Sequence, residues 1–303
     1  MAKKIIGDIL FVVGAIILGS ILAATIVLAF YMPKYILDDG KVEISQEETE
    51  EITVMSTNVR FYNPLDFFKK SWFYRASLIT EDINTVKPDV IGFQEATFLH
   101  YDHLSKAMPD YDSVMSYRDD FFLSEGCPIF WRSDKFEKVD SGSFWLSETP
   151  EVMSKDWGSE HYRITVYVIL KEIDSGKQFV VFNTHLDSKS EEARIKGIDV
   201  ILDKIAEFGN LPAFLMGDLN AEPGSVTVNK ALESFGDSAV LAGDNSDSPT
   251  YHAWGDDAKK KRLDYILVSS DKIEVTKYNV HDNLHDDVYS SDHYSIYVKA
   301  KIN

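Results

Sequence analysis

The sequence predicts an α+β domain of two packed sheets flanked by helices, placed behind a membrane-spanning N-terminal segment. Three observations lead there. Short apolar runs of strand character recur from Ile52 to the C-terminus, helical periodicity interrupts them at only a few places, and residues 9–32 carry no charge. Runs of strands with helices only at intervals favour two stacked sheets over a regular strand–helix–strand repeat.

The first element is the uncharged run. At ~1.5 Å rise per residue, residues 9–32 are long enough to cross ~30 Å of hydrocarbon. The run exceeds the apolar core of a cleaved signal peptide, and no small-x-small cleavage site follows it. It is apolar on all faces, unlike the striped helix of a soluble core. Lys3 and Lys4 precede it, whereas Lys34, Asp38 and Asp39 follow. This bias puts residues 1–8 in the cytoplasm and the remainder outside, as a single-pass protein of the cell membrane. Residues 33–51 turn acidic, ending in Gln46-Glu47-Glu48-Thr49-Glu50-Glu51, and read as a solvated linker. No Pro/Gly/Ser-rich break divides residues 52–303, which read as one domain.

Strands are expected over Ile52–Arg60, Asp89–Glu95, Tyr111–Tyr117, Pro128–Arg132, Gly142–Leu146, Tyr162–Ile173, Gln178–His185, Ala213–Gly217, Arg262–Val268, Ile273–Val280 and His293–Ile302. Trp72, Ala76, Ile79 and Ile83 share one stripe of a helix over Ser71–Val86, which Pro88 stops. Ser190 caps a second helix, with Glu191 and Glu192 in its first turn and Ile195, Ile198, Ile201, Leu202 and Ile205 on its apolar side, up to Gly209. A third helix is expected over Val226–Phe235.

Composition narrows the function classes. The formal net charge of −18 argues against a generic nucleic-acid binder, whose affinity rests on clustered Lys and Arg. Metal cations can still let an acidic protein handle phosphate esters. Cys127 is the only cysteine, so an intrachain disulfide and a Cys-rich zinc site are both excluded.

Polar residues close several apolar strands. Asp218 and Asn220 follow Gly217 at the end of one. Extended backbone would project both to one side, where a carboxylate and an amide can deprotonate and hold a water; a plain Asp/Asn/Gly turn is the competing reading. Asn183, His185 and Asp187 share parity, so one face turns polar where that strand leaves the core. Glu95 and Asn58 each end an apolar run, and a buried glutamate needs a donor, water or a cation. Such hard oxygen ligands suit magnesium, manganese or calcium. Asp264 enters an apolar strand, and His293 is an imidazole for it; the pair would fix the tautomer and favour imidazolium. An Asp-to-backbone bond is the alternative.

Taken together, Thr57-Asn58-Val59-Arg60, Gly92-Phe93-Gln94-Glu95, Asn183-Thr184-His185-Leu186-Asp187, Gly217-Asp218-Leu219-Asn220, Arg262-Leu263-Asp264-Tyr265-Ile266 and Ser291-Asp292-His293 resemble the endonuclease/exonuclease/phosphatase superfamily, in the family's order and from about residue 52 to the end. Phe144-Trp145-Leu146-Ser147-Glu148-Thr149-Pro150 is similar to a stretch of a bacterial branch and of deadenylase-like members. The resemblance implies a four-layer αββα sandwich, the DNase I-like fold, with its site at one edge of the sheets. It implies a Mg2+ or Mn2+ ion on Glu95, with Asn58 and Asp292 contributing. It makes Asp218 the residue that activates water, Asn220 its holder, and His185 and His293 the phosphate contacts, with Asp264 supporting His293. It suggests Glu125 as the partner of His185, against an exposed loop glutamate, and a substrate role for Arg163, against an ion pair.

The expected function is therefore a membrane-anchored, divalent-metal phosphohydrolase cleaving a phosphate ester, foremost a phosphodiester, without a covalent intermediate. Nucleic acid, phospholipid and inositol phosphate are the substrate classes, so nuclease, sphingomyelinase-like and phosphatase specificities stay open. A catalytically silent binding or scaffold domain is the alternative class. No protein partner is expected, and the chain is expected to be monomeric. His281 and His285 read as solvated loop, Lys259-Lys260-Lys261-Arg262 as a solvated turn, and Trp145, Trp157 and Tyr251 as core aromatics.

Overall fold

Strands that are apolar at successive positions need cover on both faces, and the fold supplies it. The computed structural model describes residues 2–36, 40–44, 49–243 and 248–303. In chain order its strands are β1 (Ile52–Asn58), β2 (Val90–Gln94), β3 (Tyr111–Val114), β4 (Ile129–Arg132), β5 (Phe136–Trp145), β6 (Ile164–Glu172), β7 (Gln178–His185), β8 (Ala213–Asp218), β9 (Gly236–Asp237), β10 (Asp264–Val268), β11 (Ile273–His281), β12 (Leu284–His285), β13 (Val288–Tyr289) and β14 (Ser295–Ile302). The helices are α1 (Ala2–Ile36), α2 (Trp72–Val86), α3 (Phe98–Ala107), α4 (Glu191–Glu207), α5 (Val226–Leu232) and α6 (Ser238–Leu241). One sheet has the order β11-β14-β1-β2-β4-β3 and the other β5-β6-β7-β8-β10-β9, with β12 and β13 forming a separate ribbon.

Alternation along each strand sends neighbouring side chains into different layers. In β8, Phe214 and Met216 enter the layer between the sheets, while Ala213 and Leu215 face α4 and α5. In β1 and β2, Val54 and Val90 enter the same inner layer, and Met55 and Ile91 face α2 and α3. Trp72, Ala76, Ile79, Ile83 and Leu104 cover the first sheet, and Ile198, Ile201, Val228 and Ala231 cover the second. Four layers, αββα, follow. Each fully buried aliphatic or aromatic side chain contributes roughly 1.5–3 kcal/mol before entropy is counted, so these three apolar layers hold the sheets together.

Each sheet has one parallel pair at its centre, β1–β2 connected through α2 and β7–β8 through α4. The carboxyl ends of both pairs lie at one edge of the sandwich, where loops can carry polar groups that the core could not.

Several expectations change. α3 was not anticipated; Thr97 caps it, and the His100 ring closes the capping box that a Glu would usually close. β5 begins at Phe136, six residues before its expected start at Gly142, because its first half is an exposed edge with no apolar run. β1 stops at Asn58, and Arg60 turns with φ +58°. The linker is not solvated throughout. Val42 is buried with its N–H on the Ala107 carbonyl at 2.7 Å, and Asn84 bonds the backbone on both sides of it. Linker residues 37–39 and 45–48 lie outside the described residues. Within α1, Ile6–Ile26 is long and apolar enough to cross a membrane, and none of it is buried in the structure.

Candidate active site

Strand register assembles the site. His185 ends β7 level with Asp218 at the end of parallel β8, and Asp264 opens antiparallel β10 opposite Asp218. Across the sandwich, Asn58 ends β1 beside Gln94, and Glu95 follows directly. The Asn58 amide joins the two sheets, donating to Glu95 Oε1 at 3.0 Å and Asp218 Oδ2 at 3.2 Å. Ser291 donates to the Asn58 carbonyl at 2.6 Å, which brings Asp292 and His293 to the same place.

The backbone is strained where these groups converge. Glu95 has φ +62° and Asn220 φ +47°. Left-handed non-glycine residues cost on the order of 1 kcal/mol or more each, so surrounding bonds must hold them. The Phe61 N–H donates to Glu95 Oε2 at 2.7 Å, and the Asn220 N–H to Asp218 Oδ1 at 2.8 Å. Gly217, at φ +140°, leaves no room for a side chain, because a Cβ there would sit 1.9 Å from the Thr184 carbonyl oxygen. Beneath the loops, fully buried Arg75 donates to the carbonyls of Lys70, Val59, Arg60 and Ser290.

Asp218 lies between two imidazoles, its Oδ2 3.6 Å from His185 Nε2 and 3.8 Å from His293 Nε2. The two rings are in different charge states. Burial opposes charge on His293, but Asp264, whose Oδ2 is 2.9 Å from Nδ1, and then Asp218 and Asp292 outweigh it and hold the pKa at about 10. Thr250 steadies Asp264 by donating to Oδ2 at 2.6 Å. His185 is pushed well below the usual range by burial and by Arg163 and Arg118. The Asn220 Nδ2 that donates to the Leu186 carbonyl at 3.1 Å is also 2.9 Å from His185 Nε2, so that nitrogen accepts and the ring is neutral. Burial and then the Asp264 charge raise the Asp218 carboxyl to about 7.

The donor set fits a hard divalent cation. Glu95 stays anionic because the Phe61 N–H and the Asn58 amide overcome its burial. Asp292 is pushed upward by burial and by nearby Glu95, and its buried Oδ1 has no hydrogen-bond partner among the described residues. Two adjacent carboxylates with an orphaned oxygen are what a cation would relieve. Asp218, Asp264 and His293 also lie close enough to share an ion. A ring holding its proton at both nitrogens offers no lone pair, however, so that trio reads better as a hydrogen-bonded chain.

A cleft of about 1060 Å³ opens over these groups, lined also by Arg60, Arg118, Arg163 and Lys189. The expected site residues Asn58, Glu95, His185, Asp218, Asn220, Asp264, Asp292 and His293 all come together. Arg163 lines the cleft too, its Nε 3.8 Å from Asp187 Oδ2. The expected pairing of Glu125 with His185 is corrected: Glu125 is in the cleft, but its carboxylate takes Arg118 Nη1 at 2.8 Å, a nearer cation within its own loop. Sequence reasoning missed Arg118, Lys189 and Thr250, which stand in loops without any strand signal. His281 and His285 are corrected as well. Rather than being solvated, they reach buried Asp82 Oδ1 at 3.0 and 2.8 Å.

The two-sheet sandwich gathers carboxylates, amides and imidazoles under a cleft walled by arginine and lysine, an arrangement chemically suited to a phosphate ester. A family-level sequence model described as the Endonuclease/Exonuclease/phosphatase family matches residues 55–293, and the chain belongs to that family. Nocturnin from Rattus norvegicus is 24% identical over 237 residues, which is 68% of this chain and 51% of that protein, so the chain spans about half the length of this curated relative. Among solved structures, an endonuclease/exonuclease/phosphatase family protein from Bacteroides thetaiotaomicron superposes with a TM-score of 0.77 at 29% identity, over 84% of this chain and 98% of that one. A mannosyl-6-phosphatase from the same organism gives a TM-score of 0.74 at 30% identity, over 82% and 99%.

Proposed function

We propose that the chain is a divalent-metal-dependent phosphohydrolase that cleaves a phosphodiester by in-line attack of water, anchored in the cell membrane by residues 9–32 with its catalytic domain outside. The observation that carries this reading is Asp218, held by the Asn58 amide and the Asn220 backbone between a neutral and a protonated imidazole. Asp218 takes the proton of the attacking water, and the Asn220 amide fixes that water. The His293 imidazolium, braced by Asp264, donates to a phosphate oxygen as charge builds there, while neutral His185, its Nε2 accepting from the Asn220 amide, holds that amide in place beside Asp218. Arg118, Arg163 and Lys189 neutralise the bound phosphate. Glu95, Asn58 and Asp292 would hold a Mg2+ or Mn2+ ion, which supplies Lewis-acid stabilisation of the phosphoryl oxygens.

A phosphomonoester is the second reading. It is supported by the likeness to the Bacteroides mannosyl-6-phosphatase and by the number of cations facing the cleft, which suits a dianion. The test is a panel with the full-length protein in Mg2+ or Mn2+: bis-p-nitrophenyl phosphate, DNA, RNA, sphingomyelin, inositol phosphates and mannose 6-phosphate, each with wild type and Asp218→Ala. At least one ester should be cleaved by wild type alone. Binding without turnover across the panel would instead identify a scaffold domain. Protease treatment of intact cells should remove the domain; its protection would reverse the membrane orientation.

A further inference from the structure

The linker joins the folded domain at the edge of the sandwich opposite the cleft. α2 and α3 both set out from the site: Arg75, in the first turn of α2, donates to the carbonyls of Val59 and Arg60, and His100, in the first turn of α3, donates through Nε2 to the Arg60 carbonyl at 3.2 Å. At ~1.5 Å rise per residue each helix then runs about 15 Å away from the cleft before it reaches Asn84 or Ala107. β1 measures the same interval in reverse, rising ~20 Å from Ile52 to Asn58 at ~3.3 Å per residue.

The ends of the two helices grip the linker there. Val42 is 2% exposed, packs in one apolar cluster with Ile79, Ile83 and Leu104, and donates its N–H to the Ala107 carbonyl at 2.7 Å. The Asn84 amide donates to the Lys41 carbonyl at 2.9 Å, and its Oδ1 accepts the Glu43 N–H at 2.7 Å, so both neighbours of Val42 are held as well. The free part of the tether therefore ends at this edge, and the domain turns about it as one body.

Length limits how far it can turn. The uncharged run ends at Met32, about one helical turn or ~6 Å before Ile36, the last residue of α1. Residues 37–41 then connect Ile36 to Val42 and, at ~3.6 Å per step, reach no more than ~22 Å. The attachment edge thus stays within roughly 30 Å of the lipid. A domain the length of residues 52–303 has a radius of gyration of ~18 Å and is about 45 Å across. Facing the cleft to the bilayer would lift the attachment edge by that whole width, which the tether does not reach. The formal net charge of −18 also keeps the domain from lying down on an anionic surface. A lipid would then have to leave the bilayer to reach the cleft, exposing its acyl chains to water, and the arginine and lysine that wall the cleft suit a hydrated anion better than a hydrocarbon chain.

We infer that the linker holds the domain with its cleft turned away from the bilayer that α1 enters, so that the phosphate esters cleaved there are water-soluble ones and not lipids of that bilayer. This rests on the membrane-anchored phosphohydrolase reading above and narrows its substrate class. Orientation is measured on full-length protein in phosphatidylcholine vesicles whose headgroups carry an energy-transfer acceptor. A donor dye is placed on Lys106→Cys, beside the attachment, or on Phe122→Cys, in the loop between Arg118 and Glu125 of the cleft, each an exposed position and each in a Cys127→Ser background. The donor at position 106 should be strongly quenched by the acceptor and the donor at position 122 weakly. Equal quenching, or stronger quenching at position 122, overturns the inference, and protein that washes off the vesicles overturns it together with the anchor. Wild-type protein supplies a second measurement, on two esters with the same reacting group, dibutyrylglycerol and dipalmitoylglycerol p-nitrophenyl phosphate. In the vesicles kcat/KM should fall by ~100-fold or more from the short-chain to the long-chain ester, whose phosphate stays in the bilayer. Comparable values for the two overturn the inference. If neither of these nor bis-p-nitrophenyl phosphate is cleaved, the phosphohydrolase reading fails, and the donor dyes still decide the orientation.

Discussion

At the scale of single residues, the site depends on bonds that fix both position and charge. Asp264 is the clearest case, because it supports the His293 imidazolium at 2.9 Å and is itself steadied by Thr250. Replacing it by Asn keeps the shape and removes the charge that favours the protonated ring. Phosphoester turnover by Asp264→Asn should fall by roughly 10²–10³, as when one preorganised donor is lost, with circular dichroism unchanged. Gly217 makes a steric claim. A methyl group there would meet the Thr184 carbonyl at 1.9 Å on a backbone with φ +140°, so Gly217→Ala should lower the unfolding free energy by on the order of 3 kcal/mol. Wild-type stability in urea denaturation of that variant would show that the β7–β8 edge is not as close as described. The strand-end residues Asn58, His185 and Asp218 were legible in the sequence because a polar residue closing an apolar run has few innocent explanations. Arg118 and Thr250 were not, since what makes them matter is proximity across loops that carry no periodicity.

At the scale of elements, the segment leading into Asp292 and His293 is clasped to α2. Buried Asp82 accepts from His281, His285 and Ser290, and Glu81 faces the other ring nitrogen of His285 at 3.2 Å. The bond to Asp82 chiefly raises the pKa of His285, while the same partners overcome burial and lower that of Asp82. A histidine pKa raised in the folded state gives stability that is complete below the unfolded value of ~6.5 and is lost as pH rises through the folded value. The lowered carboxylate gives stability above its own unfolded value of ~3.9, lost on acidification. The clasp is therefore strongest in mild acid. Thermal melts of His285→Asn should show a smaller loss of Tm than wild type between mildly acidic and mildly alkaline pH; identical slopes would remove the clasp from the account. This element was misread as solvated loop because its partner, Asp82, is about 200 positions away. α3 was missed for a related reason: its capping box uses His100, and its apolar stripe is short. By contrast α2, α4 and the central strands were readable, since their periodicity or unbroken apolar runs reflect burial that the fold confirms.

At the scale of the whole molecule, two sheets carry the opposed halves of one site, with Glu95 and Asp292 on one and His185, Asp218 and Asp264 on the other. A cation on Glu95 and Asp292 would relieve the like charge between them and stabilise the folded state by mass action, by about 2.7 kcal/mol at one hundred times its Kd. Mg2+ or Mn2+ should therefore raise Tm in wild type and have little effect on Glu95→Gln or Asp292→Asn, a readout independent of turnover. The sandwich and its strand-end site were written in local patterns, whereas the docked Val42 and the cation-lined wall of the cleft exist only once the chain is folded.

The central claim is that Asp218 directs water at phosphorus, and it is tested most directly by hydrolysis in water enriched in the heavy oxygen isotope. With bis-p-nitrophenyl phosphate and Mg2+ or Mn2+, wild type should release p-nitrophenyl phosphate carrying one labelled oxygen and unlabelled p-nitrophenol, and Asp218→Asn should be slower by ~10²–10⁴, the usual worth of a positioned base. Label in the p-nitrophenol, or an unchanged rate in Asp218→Asn, would contradict it.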